Sequence, residues 1–306
     1  MESRRRFLAR TVPVTLGTAG LLAGCAAGTS SRPAGSSTTT PSGSPAPPKP
    51  ADARFRYGKH PNQWADLYLP STGAKFPVVV TIHGGGWTVG VDARETVPFA
   101  GDLTRDGIAV WNIEYRLLDG GGGWPATFHD VAAAIDLLPK ASKGRLDLRT
   151  VISFGASAGG HLAAWAASRH RIPAQHRALL GGAPKQRLRG AVAYAAPLDL
   201  AYDSDNFGNS VHLMDGTPAR HPDRYAAGSP YALLPIGIPV VCLHGDADQV
   251  IPYEQSKRYV AKAKQLGSPA KLITLPGVDH NNTQPLRIGE PLWNQTKAEL
   301  HTLLGH

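Results

Sequence analysis

The run Val151-Ile152-Ser153-Phe154-Gly155-Ala156-Ser157-Ala158-Gly159-Gly160-His161-Leu162 narrows the choice of fold more than any other stretch of this chain. An apolar, β-branched lead enters Gly-x-Ser-x-Gly, and the helix-forming residues Leu162-Ala163-Ala164-Trp165-Ala166-Ala167 follow. Strand, tight turn and helix in that order predict a serine held in strained backbone at the carboxyl edge of a sheet. Gly155 and Gly159 have a steric reason there, because only small residues fit two positions either side of so sharp a turn. The backbone N–H of Ala158, first in the helix, then points toward whatever the Ser157 hydroxyl attacks.

Alternating strands and helices fill the chain from about residue 52 onward, the mark of an α/β fold with a mostly parallel central sheet and helices on both faces. Residues 65–69, 76–82, 107–113, 188–195, 238–243 and 271–275 read as strands. The continuous apolar run at 76–82 predicts burial on both faces. Residues 125–138, 253–266 and 291–304 have helical spacing. The irregular stretch 201–234 is expected to wall the site, and one domain, 52–306, accounts for all of it.

Two further stretches carry chemistry. In His83-Gly84-Gly85-Gly86-Trp87, successive glycines let backbone N–H groups turn toward a bound carbonyl. With the N–H of Ala158, those of Gly85 and Gly86 are candidates for an oxyanion hole, each donor contributing on the order of 3 kcal/mol to the barrier. Downstream, Asp246 and Asp248 follow a buried strand and His280 follows the next one. Serine, acid, histidine is one of the chain orders in which a catalytic triad is built.

Asp66-Leu67-Tyr68-Leu69-Pro70, His83-Gly84-Gly85-Gly86-Trp87, Glu114-Tyr115-Arg116-Leu117, Gly155-Ala156-Ser157-Ala158-Gly159-Gly160-His161-Leu162 and His244-Gly245-Asp246-Ala247-Asp248 are together similar to the esterase and lipase-like α/β-hydrolases with an HGGG loop. That group includes carboxylesterases, feruloyl and acetyl esterases and kynurenine-formamidase-like enzymes. The resemblance implies Ser157 as nucleophile, His280 as base and acid, and Asp248 as the orienting carboxylate. Asp246 and, more remotely, Asp199 are the alternatives for the acid. It also implies Gly85, Gly86 and Ala158 as oxyanion donors and Trp87 as a wall of the substrate pocket. Asn281 and Asn282 follow His280 where the family commonly has glycine or an aromatic residue.

These residue types suit one reaction. A serine hydroxyl is nearly inert until a base takes its proton. Imidazole accepts that proton and returns it to the leaving group, while a carboxylate fixes its tautomer. The expected function is hydrolysis of carboxylic esters, small or glycan-borne, through an acyl-enzyme and with no cofactor. An amide or peptide hydrolase with the same triad, or a non-catalytic binding lipoprotein on this fold, are the competing readings.

The first fifty residues read as an address and a tether. Arg4-Arg5-Arg6-Phe7-Leu8 resembles the twin-arginine export signal, and an uncharged run follows from 11 to 23. At about 20 Å in helical form that run is shorter than a bilayer core, so residues 1–24 read as a signal peptide. Leu22-Ala23-Gly24-Cys25 resembles a bacterial lipobox, which implies a lipidated Cys25 and a membrane anchor on the outer face of the cytoplasmic membrane. Residues 25–51, almost wholly Gly, Ser, Thr, Pro and Ala after the cysteine, read as a disordered linker.

The net charge of +9 looks like a nucleic-acid signal until it is divided. Six basic residues against Glu2 stand before residue 51, which leaves the remainder only mildly basic. No recognition motif for nucleic acid accompanies it. The basic segment 169–189 reads as a solvated loop on the end opposite the catalytic edge, with a surface-binding role as the sharper alternative. Asp246 and Asp248 lack the ligand pattern of a calcium loop, and no zinc spacing, phosphate loop or dinucleotide fingerprint is present.

Overall fold

The structure is a computed structural model in which residues 49–206, 209–280 and 287–305 are described. The segment read as a signal peptide, Cys25 and all of the linker before residue 49 lie outside the described residues. Eight strands form one sheet: β1 (Ala53–Arg56), β2 (Trp64–Tyr68), β3 (Phe76–Ile82), β4 (Ala109–Ile113), β5 (Leu146–Ala156), β6 (Gly190–Tyr194), β7 (Val240–Gly245) and β8 (Ala270–Leu275). Their spatial order is β1-β2-β4-β3-β5-β6-β7-β8. The first two pairings are antiparallel and all those from β4 to β8 are parallel.

Helices are α1 (Val97–Arg105), α2 (Ala126–Asp136), α3 (Leu138–Ala141), α4 (Ala158–Ser168), α5 (Ala174–Arg177), α6 (Leu200–Asn206), α7 (Asn209–Leu213), α8 (Pro222–Gly228), α9 (Glu254–Gln265) and α10 (Pro291–Leu304). Side chains alternate across the pleat, and both faces are covered. Val78, Val80 and Ile82 join Trp111, Phe128 and Trp165 in the core on the α2, α4 and α9 side. Val79 joins Phe99, Phe154 and Trp293 in the core on the α1 and α10 side. Trp293 stacks on Phe99 with ring centres 4.4 Å apart, and its Nε1 donates to Asp102 Oδ2 at 2.7 Å, which locks α10 onto α1.

Every residue of α4 is buried, so this helix sits in the interior instead of on an amphipathic surface. The expected irregular stretch 201–234 contains three short helices. The last of them, α8, is tied to α4 by side-chain donors: Trp165 Nε1 to Ala227 O at 3.0 Å, and the ring of His161 to Gly228 O at 2.9 Å.

One reading of the basic segment is corrected. Arg169 is not part of a solvated loop: it is 1% exposed and forms a two-pronged pair with Asp136, at 3.0 and 2.8 Å. Asp136 also accepts the backbone N–H groups of Lys185 and Gln186, so the pair pins this connection to α2. Arg171, Lys185, Arg187 and Arg189 remain exposed.

Candidate active site

Ser157 stands between β5 and α4 with φ 53° and ψ −124°, a positive φ that costs a residue with a Cβ and persists only where its surroundings impose it. The surroundings are visible. Ser157 N–H donates to Tyr194 O at 2.8 Å, and Ser157 O accepts from His161 N–H at 3.0 Å. A Cβ on Gly159 would lie 2.1 Å from Ile82 O and 2.5 Å from His83 O, so the first turn of α4 is pressed against the end of β3. That contact aims the hydroxyl over the carboxyl edge of the sheet.

Two other strand ends bring their side chains to it. Ser157 Oγ lies 3.1 Å from His280 Nε2, and His280 Nδ1 lies 2.8 Å from Asp248 Oδ2. Asp248 Oδ1 accepts the N–H groups of Val250 and Ile251 at 2.9 and 2.8 Å. Burial alone would raise the Asp248 pKa. Hydrogen bonds from His244, His280 and the Ile251 backbone outweigh it and hold the carboxyl well below the usual range. It is an acceptor fixed at both oxygens.

The other two acids are occupied elsewhere. Asp246 Oδ1 accepts the N–H of Gly277 at 2.7 Å, and Asp199 Oδ2 accepts Arg258 at 2.8 Å. Cys242 is buried, and burial pushes its thiol up to about 12, which leaves it inert as a nucleophile.

Gly85 and Gly86 have φ of 88° and 61°, in the left-handed region that disfavours any side chain. The loop is braced from beneath. The ring of His83 is buried between Gly84 O and Glu114 Oε1, each 3.1 Å away, and Tyr115 Oη donates to His83 O at 2.9 Å. Glu114 Oε2 accepts Ala93 N–H, and Glu95 Oε2 accepts Gly84 N–H, both at 2.9 Å. Arg116 clasps the buried Asp130 with two bonds, 2.7 and 2.8 Å. The Glu-Tyr-Arg stretch is thus the loop's footing.

Ser157, Ala158, Gly85, Gly86, Trp87 and His280 all border one cavity of 560 Å³. That volume is within the usual range for a small-molecule site. Most of the remaining wall is apolar and includes Val91, Phe99, Phe154, Pro197 and Ile251. Trp87 is buried edge-on to the ring of His161, with centres 5.4 Å apart. A second, polar concavity of 510 Å³ shares Gly86 and is bordered by Thr88, Asp119 and His212. Of the glycine run at 120–123, Gly122 and Gly123 border it, in a turn where Gly122 N–H donates to Leu117 O at 2.8 Å.

Two acids at the cavity, Glu95 and Asp203, carry no sequence motif. Glu95 depends on a loop-to-helix contact across eleven residues, and Asp203 on the packing of α6, which no local pattern announces. Among the described residues, no group of three His, Cys, Asp or Glu side chains is arranged to hold a metal ion.

A family model described as BD-FAE matches residues 65–263. Esterase LipC of Mycobacterium tuberculosis is 27% identical over 242 residues, which covers 74% of this chain and 59% of that protein. The chain spans about 60% of the length of the curated relatives it matches. A truncated form of a carbohydrate esterase from gut microbiota superposes with TM-score 0.71 at 21% identity, over 84% of this chain and 98% of that one. Thermogutta terrifontis esterase 2 phosphoramylated by tabun superposes with TM-score 0.66 at 20% identity, over 85% and 97%.

Proposed function

Because this chain belongs to the BD-FAE family and has the α/β-hydrolase fold, we propose that it is a serine esterase acting on carboxylic esters. The reading rests on one observation: a hydrogen-bonded relay from Ser157 through His280 to Asp248 beside an apolar cavity. In this mechanism Ser157 Oγ adds to the ester carbonyl as His280 Nε2 takes its proton. The tetrahedral oxyanion is held by the N–H groups of Gly85, Gly86 and Ala158. Asp248 orients His280 and steadies the imidazolium. Collapse expels the alcohol, which takes the proton from Nε2 and leaves the acyl group on Ser157. Water then enters, His280 takes its proton, and the same steps in reverse release the acid and restore the hydroxyl.

The substrate class is an ester whose acyl part fits the apolar cavity, borne on a small alcohol or a glycan. The second alternative is consistent with the carbohydrate esterase among the structural neighbours. The twin-arginine and lipobox motifs support export and anchoring through Cys25, so the enzyme would meet its substrate outside the cytoplasm. Loss of membrane association in Cys25→Ala would support that part.

A fluorophosphonate probe tests the catalytic reading. The neighbour from Thermogutta terrifontis carries such a phosphorus adduct. One adduct on Ser157, absent in Ser157→Ala, together with turnover of p-nitrophenyl esters, is the expected result. Folded protein that neither labels nor turns over any ester would overturn it.

A further inference from the structure

The cavity beside Ser157 is mostly apolar, with Thr96, Tyr194, Arg287 and two acids in its wall beside the reacting groups, and one of those acids is unlike the other. Asp203, on α6, borders the cavity yet is fully shielded from solvent. Its Oδ2 accepts the N–H of Ser210 at 2.9 Å, while Ser210 Oγ is committed to Leu200 O. Its Oδ1 has no hydrogen-bond partner among the described residues. A buried carboxyl oxygen without a partner costs free energy and is retained only where something compensates it. Burial raises the Asp203 pKa and outweighs the hydrogen bonding from Ser210 that lowers it. Glu95, the other acid of the wall, is exposed and already engaged by Gly84 N–H, so it is a support for the loop instead.

The following rests on the esterase reading. During turnover the alcohol must leave while the acyl group stays on Ser157, so the mostly apolar cavity suits the acyl part. We infer that Asp203 is a specificity-determining residue that accepts a hydrogen bond from an O–H or N–H donor on the acyl chain. The enzyme therefore selects acyl groups that are mostly apolar but carry one hydroxyl or ammonium group. A site with a buried acceptor favours the ligand that satisfies it, because the analogue lacking the donor leaves the acceptor unpaired. Oδ2 is held by Ser210, so Oδ1 is the oxygen left to pair with a guest.

The test compares methyl esters of alkanoic acids of four to eight carbons with their ω-hydroxy and ω-amino counterparts. At one or more chain lengths the substituted ester should be turned over with kcat/KM at least about tenfold above the plain one. In Asp203→Ala that ratio should collapse toward one. Asp203→Asn keeps the volume and an acceptor, so it should retain part of a hydroxyl preference and lose an ammonium preference, which separates the two donors. The wild-type comparison stands on its own even if a variant folds poorly. Turnover with ratios near or below one at every length, or a preference that Asp203→Ala leaves unmoved, overturns the assignment while leaving the esterase reading intact. Failure to turn over any ester would remove both.

Discussion

Asp248 Oδ2 lies 2.8 Å from His280 Nδ1, whereas Asp246, two residues earlier in the same loop, uses its carboxylate to hold the N–H of Gly277. Two acids of the same type, almost adjacent in sequence, therefore have different work. Substituting each should separate them. Asp248→Asn should lower kcat by about 10³- to 10⁴-fold, since the imidazole loses the group that fixes its tautomer. Asp246→Asn should leave kcat within about tenfold of wild type, a barrier change of about 1.4 kcal/mol or less. Steady-state kinetics on a p-nitrophenyl ester reads both, and equal losses would contradict the assignment.

The contact between α4 and β3 gives a second expectation. Gly159→Ala places a Cβ against two backbone oxygens, neither of which can rotate away. Overpacking of that kind costs about 3 kcal/mol, so Tm should fall by roughly 5–10 °C. Differential scanning calorimetry would measure it. A Tm within about 2 °C of wild type would mean the elbow is looser than its geometry implies.

Acid should weaken the fold through His161. Burial holds this imidazole down at about 4, below its ordinary 6.5. The unfolded chain therefore takes up the proton first as pH falls. The contribution is complete above about pH 6.5 and is lost between there and about pH 4, on the order of 3 kcal/mol in all. Urea midpoints measured from pH 7.5 to 4.5 should fall in that window. In His161→Gln, which keeps a donor for Gly228 O, that part of the slope should vanish.

Arg169 and its basic neighbours should differ in stability. Arg169→Ala leaves Asp136 buried without its partner, at a cost of about 3 kcal/mol. Arg171→Glu and Arg187→Glu, both exposed, should stay within about 0.5 kcal/mol of wild type. Chemical denaturation of the three variants makes the comparison.

Much of the fold could be read from the chain because its strands are buried on both faces. Residues 76–82 are continuously apolar and form β3 with those bounds, and α10 begins at Pro291 and ends before Gly305, both ordinary helix punctuation. What escaped has physical reasons. β1 is a four-residue edge strand, too short to show a period, held by its ladder to β2, by Arg54 on Asp66 and by Phe55 against Trp111. α1 carries Gly101, which lowers its intrinsic helicity, and it is held by the core around Phe99. The helices of 200–228 are five to seven residues long, too short to show a period, and α8 is fixed by donors from α4. At the site, turn chemistry and chain order single out Ser157, His280 and the pair Asp246 and Asp248, and the choice of Asp248 comes from the family resemblance. Arg169 misled because composition reports charge and not its partner, and Asp203 stayed hidden because its isolation exists only in three dimensions.

The pressure of Gly159 on the last carbonyls of β3 has a consequence for how this scaffold can change. The turn that holds Ser157 grows from β5 and the glycine loop from the neighbouring β3, and because the first turn of α4 presses on the end of β3 they are geared together and neither can drift alone. Acyl preference, by contrast, hangs partly on α6, which lies outside that junction. New substrates can therefore be recruited by rewriting the segment around Asp203 while the reacting atoms keep their register.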